Sequence, residues 1–331
     1  MTDTTEMQAL VVDTVDAPFR LTAIAKPVAG AGQVLVRIHA VGLNPLDAKV
    51  RAGQAAHAQQ PLPAILGMDL AGTVEAIGAL AGEWQVGDEV YALGAGIGGA
   101  QGALAEYAVV DARLLARKPA SLGMREAAVL PLVLITAWEG LVDRAHVGPG
   151  QKVLIQGGAG GVGHVAVQLA LAYGADVYAT GSAKHRATIE GLGATFIDYQ
   201  QHTVEAYVAL YTEGEGFDIV YDTVGGATLD ASFRAAKTYH GHVVSCLGWG
   251  QHSLAPLSFR GATYSGVFTL LPLLTGKGRE HHGQILAKAA RLINAGKLKP
   301  IMDPHHFDLL TANAAYDLLA SGAQGRLAIE I

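Results

Sequence analysis

The chain has 331 residues, 50% of them hydrophobic and 16% charged, and a formal net charge of -6. This length predicts two domains, and the composition is that of a folded chain rather than a disordered one. The acidic balance argues against nucleic acid and anionic membrane surfaces as partners.

Three features predict a cytoplasmic protein. The first residues, MTDTTEM, lack the basic and apolar regions of a signal peptide. The longest apolar run, residues 127–138, contains Pro131 and is too short to span a bilayer. Cys246 is the single cysteine, so no intrachain disulfide can form. Its position in HVVSCLG predicts a buried strand residue rather than a nucleophile.

Short strands between turns rich in Gly and Pro are predicted in the first third of the chain. Residues 34–41, VLVRIHAV, have the period-2 pattern of a half-buried strand. Further predicted strands are 72–77, 89–93 and 105–110. This part of the chain therefore predicts an irregular barrel or sandwich.

Strands and helices alternate from residue 151 onward, after a helix predicted at 124–141 with Ser121 as its N-cap. The predicted strands are 152–156, 176–180, 195–198, 217–222, 242–247 and 262–270. The predicted helices are 162–173, 183–192, 203–211 and 227–236, followed by helices at 282–295 and 309–321 and a strand at 327–331. Regular alternation of this kind predicts an α/β fold with a doubly wound parallel sheet.

The segment VLIQGGAGGVGHVAVQL, residues 153–169, contains a glycine turn. Gly158, Gly160 and Gly163 match G-x-G-x-x-G between a predicted strand and a predicted helix, the setting of a dinucleotide site. The first glycine allows a tight turn, the second lets the pyrophosphate approach, and the third lets helix and strand pack closely. Gly161 and Val162 open the helix, whose N–H groups would face the phosphates. The alternative is a tight turn without a ligand.

The end of the next predicted strand distinguishes between dinucleotides. An NAD site usually places Asp or Glu there to hold the ribose hydroxyls, but residues 181–186 are GSAKHR. Gly181, Ser182, Lys184 and Arg186 combine a small residue, a hydroxyl and two cations, which suits a 2′-phosphate and predicts NADPH. Alternatively, the cations form the solvated face of a helix start, although cations in a first turn oppose the helix dipole.

Together these motifs resemble the medium-chain dehydrogenase/reductase superfamily, in particular its zinc-independent quinone oxidoreductase (zeta-crystallin-like) branch. The motifs in order are AVGLNPLDAKVRAG, GMDLAGTVEAIG, VGDEVYAL, LPLVLITAWEGL, GGAGGVGHVAVQLA, YDTVGG and GRLAIEI. The resemblance implies a GroES-like, mostly β catalytic domain at 1–124 and 271–331. It also implies a Rossmann NADP-binding domain at 125–270 and a homodimer formed through residues 263–268.

The resemblance also concerns zinc, which alcohol dehydrogenases of the superfamily bind through cysteines and the histidine of a GHE motif. Here Asn44 takes the place of the first cysteine, the GHE position is Gly67-Met68-Asp69, and Cys246 is distant in sequence. Because zinc prefers thiolate and imidazole ligands, we expect no metal. Without a Lewis acid, oxidation of simple alcohols is disfavoured. A quinone or an α,β-unsaturated carbonyl is already electrophilic and needs mainly hydride, orientation and a proton.

Asn44, Asp47 and Lys49 are the candidate catalytic residues by this resemblance. Lys49 would polarise a carbonyl or pair with Asp47 or Asp69, and Asp69 is expected to cap or pair rather than act as an acid. For Asn44 the alternative is a turn residue before Pro45. The resemblance implies further cofactor contacts at Thr136, Tyr199, Val224, Phe268, Leu270 and Arg326.

The expected activity is therefore NADPH-dependent reduction of a small quinone or enone. An enoyl-thioester reductase and a non-enzymatic NADPH-binding protein are the alternatives.

Overall fold

The computed structural model describes residues 5–331. The prediction that the chain lacks a signal peptide uses the segment MTDTTEM, and the first four residues of this segment lie outside the described residues. The chain forms two compact units. The first contains the residues up to Leu132 together with 270–294 and 300–331, and the second contains 133–269 and 295–299. The first boundary thus falls after Leu132 rather than after residue 124, and residues 295–299 join the second unit.

Strands and helices are numbered in chain order. The strands are β1 (Glu6–Val12), β2 (Arg20–Ala25), β3 (Gln33–Gly42), β4 (Ala64–Ile65), β5 (Asp69–Ile77), β6 (Glu89–Leu93), β7 (Tyr107–Asp111), β8 (Ala116–Arg117), β9 (Lys152–Gln156), β10 (Asp176–Gly181), β11 (Thr195–Asp198), β12 (Ile219–Asp222), β13 (His242–Ser245), β14 (Thr263–Gly266), β15 (Phe307–Asp308) and β16 (Ala328–Glu330). The helices are α1 (Pro45–Arg51), α2 (Met124–Ala128), α3 (Pro131–Trp138), α4 (Gly163–Ala172), α5 (Arg186–Gly191), α6 (Val204–Thr212), α7 (Ala227–Ala235), α8 (Ala255–Arg260), α9 (Leu271–Thr275), α10 (Arg279–Asn294) and α11 (Ala312–Ser321).

The first unit is built mainly of β-strands. Its larger sheet has the order β15-β16-β3-β5-β6-β8, with β7 also paired to β3, and its smaller sheet has the order β2-β1-β4. The strand predicted at 34–41 is part of β3, where Arg37 is exposed between buried neighbours. Antiparallel pairing of β16 with β3 brings the end of the chain beside Gly42, which directly precedes the predicted catalytic segment.

The second unit contains the predicted parallel sheet. Its order is β11-β10-β9-β12-β13-β14, and every pairing in it is parallel. Apolar residues of the central strands, such as Leu154, Val220 and Val243, pack with Phe217 and Phe233 in a buried cluster. The doubly wound fold class is therefore confirmed, and the carboxyl ends of β9, β10 and β12 form one edge at which a ligand can bind.

Two sequence predictions for this region are corrected. The helix predicted at 124–141 is interrupted, because Pro131 cannot donate a backbone hydrogen bond within a helix and instead starts α3. The strand predicted at 262–270 is limited to β14, because only Thr263–Gly266 pair with β13.

Among residues 5–331, no helix is both long enough and apolar enough to cross a membrane. The cytoplasmic location stays a prediction.

Candidate active site

The glycine turn lies at the carboxyl end of β9 and leads into α4, as predicted. Gly158 and Gly163 are close-packed: a Cβ added to Gly158 would lie 2.5 Å from the Ala179 Cβ, and one added to Gly163 would collide with the Gly157 carbonyl. Gly160 is exposed, and an added Cβ would meet only the Gly157 carbonyl oxygen, at 3.2 Å, among the described atoms. The turn therefore leaves space at Gly160, where a pyrophosphate would approach the backbone.

Thr180, which the sequence did not single out, fixes this turn. Its hydroxyl accepts a hydrogen bond from the Gly157 N–H (3.0 Å) and donates one to Gln156 Oε1 (2.8 Å). Its carbonyl accepts from the Gly158 N–H at 3.0 Å. The sequence does contain a signal for Thr180, because it is a hydroxyl residue at the end of the second strand of the βαβ unit. Parallel neighbouring strands end at the same edge of a sheet, so this hydroxyl is expected close to the turn that follows the first strand.

The predicted 2′-phosphate residues lie together at the end of β10. Gly181 pairs with Asp198 of β11 in the parallel register, and the Tyr199 N–H donates to the Gly181 carbonyl at 3.4 Å. Tyr199 is half-exposed, and Ser182 Oγ lies 3.2 Å from His185 Nδ1. Ser182, His185 and Tyr199 therefore lie close to the end of β10, where the 2′-phosphate site is predicted.

The two predicted cations differ in their surroundings. Arg186 forms an ion pair with Glu190 (3.1 Å), and its guanidinium lies 4.4 Å from the Phe196 ring centroid. Lys184 is exposed and forms no ion pair within the part of the chain that the structure describes. Because the Arg186 charge is already partly compensated, Lys184 is the cation more available to a phosphate.

We expect Lys184→Ala to weaken NADPH binding by about 10-fold and to leave NADH binding nearly unchanged, because only NADPH carries the additional phosphate. Arg186→Ala should have a smaller effect, and the double variant should combine the losses. Fluorescence titration with NADPH and with NADH measures the dissociation constants of each variant. Equal losses for NADPH and NADH would contradict the assignment of this cluster to the 2′-phosphate.

Val224 follows the end of β12 beside the glycine turn. The Asp222 carboxylate accepts from the Val224 and Gly225 N–H groups (3.1 and 3.0 Å) and from Ser245 Oγ (2.7 Å). A Cβ added to Gly157 would lie 2.9 Å from Val224 Cγ2. Asp222 is thus a turn-forming residue that holds the half-exposed Val224 next to the predicted pyrophosphate site.

Thr136 and Phe268 also lie in the second unit. Thr136 is 6% exposed, its hydroxyl lies 2.8 Å from that of Thr269, and its carbonyl accepts from the Tyr221 hydroxyl at 2.6 Å. Phe268 makes an edge-to-face contact with Trp249, with ring centroids 6.0 Å apart. The cofactor contacts of Thr136 and Phe268 stay predictions, as does that of Leu270, a buried residue that precedes α9 in the first unit.

Asn44 and Asp47 belong to a buried polar network of the first unit. Asn44 is the N-cap of α1, and its N–H donates to Asp47 Oδ2 at 2.9 Å, so a carboxylate at the third helical position reaches back to the cap. The Asn44 amide nitrogen donates to Asp69 Oδ2 at 3.0 Å, and Asp69 Oδ1 accepts from the Leu132 N–H at 2.9 Å. The prediction that Asp69 caps or pairs is confirmed.

Arg326 completes this network, and the cofactor contact predicted for it stays a prediction. Its Nη2 donates to Asn44 Oδ1 at 2.6 Å and its Nε to the Val129 carbonyl at 3.1 Å. Arg326 is 6% exposed and lies in the first unit. A guanidinium that is buried and bonded in this way is an internal counter-ion, because the positive charge faces two aspartates rather than solvent.

Burial dominates the electrostatics of both aspartates. Burial raises the pKa of Asp69 to about 8, against the opposing effects of the Asn44 hydrogen bond and the Arg326 charge. The pKa of Asp47 is raised to about 7, also mainly by burial. Two carboxyl groups share one guanidinium, so a retained proton makes the network neutral.

We expect this network to make folding stability fall as pH rises. A carboxyl whose folded pKa lies above its unfolded value holds a proton that the unfolded chain has released, so its stabilisation is complete below about pH 4 and is lost towards pH 8. Urea unfolding at pH 6 and pH 8.5 should show a larger loss for the wild type than for Asp69→Asn. Parallel losses would contradict the raised pKa.

Lys49 is the exposed charge on α1, whereas Asn44 and Asp47 are buried. Lys49 forms no ion pair with Asp47, Asp69 or any other carboxylate of residues 5–331. The alternative prediction, an ion pair of Lys49 with Asp47 or Asp69, is therefore not formed. The Lys49 ammonium group stays available to a ligand.

The residues at the positions of a zinc site do not fit that metal. Asn44 offers an amide oxygen that already accepts from a guanidinium, and Met68 is buried and offers a thioether. In the described chain, no three His, Cys, Asp or Glu side chains are grouped as metal ligands. Burial raises the pKa of the Cys246 thiol to about 12.

Incubation with a strong chelator followed by desalting should accordingly leave reductase turnover and thermal unfolding unchanged, because the donor set does not suit zinc. Elemental analysis of the purified protein provides an independent measurement. Zinc at one equivalent per chain, lost together with activity, would overturn the expectation.

Comparisons with known proteins agree with this architecture. Residues 30–120 match the alcohol dehydrogenase GroES-like domain family, and residues 192–326 match the zinc-binding dehydrogenase family. A solved alcohol dehydrogenase superfamily protein from Novosphingobium aromaticivorans is 57% identical, with a TM-score of 0.96 and coverage of 98% of this chain and 99% of that one.

Two other similar proteins have more specific names. The quinone oxidoreductase of Coxiella burnetii is 28% identical, with a TM-score of 0.82 and coverage of 98% of this chain and 99% of its own. The chloroplastic NADPH-dependent alkenal/one oxidoreductase of Arabidopsis thaliana is 36% identical over 82% of this chain. The match spans 64% of the Arabidopsis protein's length. With a GroES-like first unit and a nucleotide-binding parallel sheet in the second, the chain belongs to the medium-chain dehydrogenase/reductase superfamily.

Proposed function

We propose that this protein is an NADPH-dependent, zinc-independent reductase of quinones or α,β-unsaturated carbonyl compounds. The observation that carries the proposal is the cluster at the end of β10, where Ser182 and Lys184 stand in place of a carboxylate beside the glycine turn. The names of the Arabidopsis and Coxiella relatives support the cofactor and the substrate class.

The second unit would hold the cofactor. The exposed Gly160 leaves room for the pyrophosphate, and α4 begins three residues later, so the positive end of its dipole suits an anion there. Ser182, Lys184 and Tyr199 would surround the adenosine ribose and its 2′-phosphate. Bound NADPH would supply the hydride for the reaction.

The first unit would supply the polar group that acts on the substrate. Hydride addition to the β-carbon of an enone moves negative charge onto the carbonyl oxygen. The exposed Lys49 ammonium would donate a hydrogen bond to that oxygen, stabilise the charge as it develops, and leave the α-carbon to take a proton from solvent. A quinone presents a similar oxygen, so the same contact would serve both acceptors.

A homodimer in the cytoplasm is part of the proposal. β14 is the last strand in the sheet order, and in the described chain it pairs with β13 alone. Its outer edge offers backbone groups to a second copy, and sheet extension would satisfy them. Light scattering after size exclusion measures the mass, and a monomer at micromolar concentration would contradict this part.

Steady-state oxidation of NADPH and NADH, with enones, quinones and an enoyl thioester as acceptors, tests the function. We expect turnover of enones or quinones with NADPH, and much less with NADH. Turnover confined to the thioester would identify an enoyl-thioester reductase, and tight NADPH binding without turnover of any acceptor would indicate a non-enzymatic protein. Either result would overturn the proposal.

A further inference from the structure

Arg326 and Asn44 are separated by 282 positions in the chain and yet share a short hydrogen bond inside the first unit. The backbone around Arg326 is fixed by two bonds, from its own N–H to the Ile301 carbonyl (2.7 Å) and from the Asp303 N–H to its carbonyl (3.0 Å). The next residue, Leu327, accepts from the Leu43 N–H at 2.9 Å. The guanidinium is therefore held at a defined place beside the start of α1.

The network fixes the orientation of the Asn44 amide. A guanidinium has only donors, so the Asn44 oxygen must face Arg326, and the amide nitrogen is then directed towards Asp69. The Asn44 N–H is also bonded, to Asp47. The side-chain oxygen, side-chain nitrogen and backbone N–H of Asn44 thus each have a hydrogen-bond partner. Asn44 also has no exposed surface with which to contact a ligand.

We propose that Arg326 is a positioning residue which acts through Asn44 on α1 and sets the place of the Lys49 ammonium group. This inference rests on the proposed function, in which Lys49 contacts the substrate oxygen. α1 has only seven residues, and a helix of this length depends on its cap and packing. Loss of the guanidinium would leave the Asn44 oxygen without its donor and two buried carboxyl groups without their cation.

A double-mutant cycle in the full-length protein tests this role. Lys49→Met should lower kcat by about 100-fold, and Arg326→Met should lower kcat by about 10-fold in the wild-type background. In the Lys49→Met background, Arg326→Met should cause no further loss. NADPH affinity, measured by fluorescence titration, should stay within about twofold in every variant.

Hydrogen exchange provides a readout that needs no turnover. Peptides that contain α1 should exchange faster in Arg326→Met than in the wild type. The matched control is Arg37→Met, which removes an exposed arginine of β3 in the same unit and should change neither exchange in α1 nor kcat. Arg326→Lys keeps the charge but cannot reach Val129 and Asn44 together, so its kcat should be intermediate.

The outcomes separate the two proposals. Multiplicative losses in the double variant, or unchanged exchange in α1, would overturn the positioning role even if the enzyme reduces enones. A wild type that shows no turnover would overturn the proposed function, and the exchange data would still decide whether Arg326 orders α1. If Arg326→Met does not fold, Asn44→Leu removes the same bond while keeping the cation and should give the same cycle and exchange results.

Discussion

Gly160→Val is expected to weaken NADPH binding by about 100-fold, which corresponds to about 2.7 kcal/mol, while the protein stays folded. Gly160 does not have a positive φ, and its added side chain would point into space that a pyrophosphate would occupy. The loss should therefore appear in the dissociation constant, measured by fluorescence titration, and not in the midpoint of thermal unfolding.

Two other glycines of the same unit serve as controls for Gly160→Val. Gly191→Val should bind NADPH normally, because no atom described beyond its chain neighbours and the backbone of its own helix lies within 4 Å of an added Cβ there. Gly158→Val should instead lower stability, since its Cβ would collide with Ala179. If Gly160→Val binds NADPH as tightly as the wild type, the turn has only a structural role.

Lys49→Met should lower kcat with an enone acceptor by about 100-fold and leave NADPH affinity unchanged. The side chain is exposed and has no ion-pair partner in the described chain, so its loss removes a contact to the substrate oxygen rather than a support of the fold. Stopped-flow measurement of NADPH oxidation under single-turnover conditions separates this effect from product release.

The matched control for Lys49→Met is Lys288→Met, which removes an exposed lysine of α10 in the same unit. Lys49→Arg should recover part of the rate, because it restores a cationic donor of different shape. Wild-type kcat in Lys49→Met would contradict the assignment of the ammonium group to the substrate carbonyl.

The glycine turn shows how much a short segment can determine. The conformation of a strand–turn–helix unit depends on residues that are adjacent in the chain. Gly158, Gly160 and Gly163 could therefore be assigned separate roles from their spacing. The cluster at the end of β10 was accessible for the same reason, since residues 181–186 follow one strand. The structure adds that Glu190 and Phe196 engage Arg186, a contact that depends on the packing of α5 against β11.

The catalytic segment shows what local sequence could not determine. Asn44, Asp47 and Lys49 lie within six positions, and the family resemblance implied three polar groups at one site. The structure buries the first two and exposes the third, because α1 directs its sides to different environments.

The sequence by itself determined the α/β fold class, the parallel sheet and the glycine turn between β9 and α4, because each depends on periodicity or on residues adjacent in the chain. Only the tertiary structure decided that Arg326 belongs to the Asn44 network. That contact is created by the antiparallel pairing of β16 with β3, and the two buried aspartates compensate the charge of the guanidinium. A short-range pattern contains no signal for such charge compensation between residues 282 positions apart.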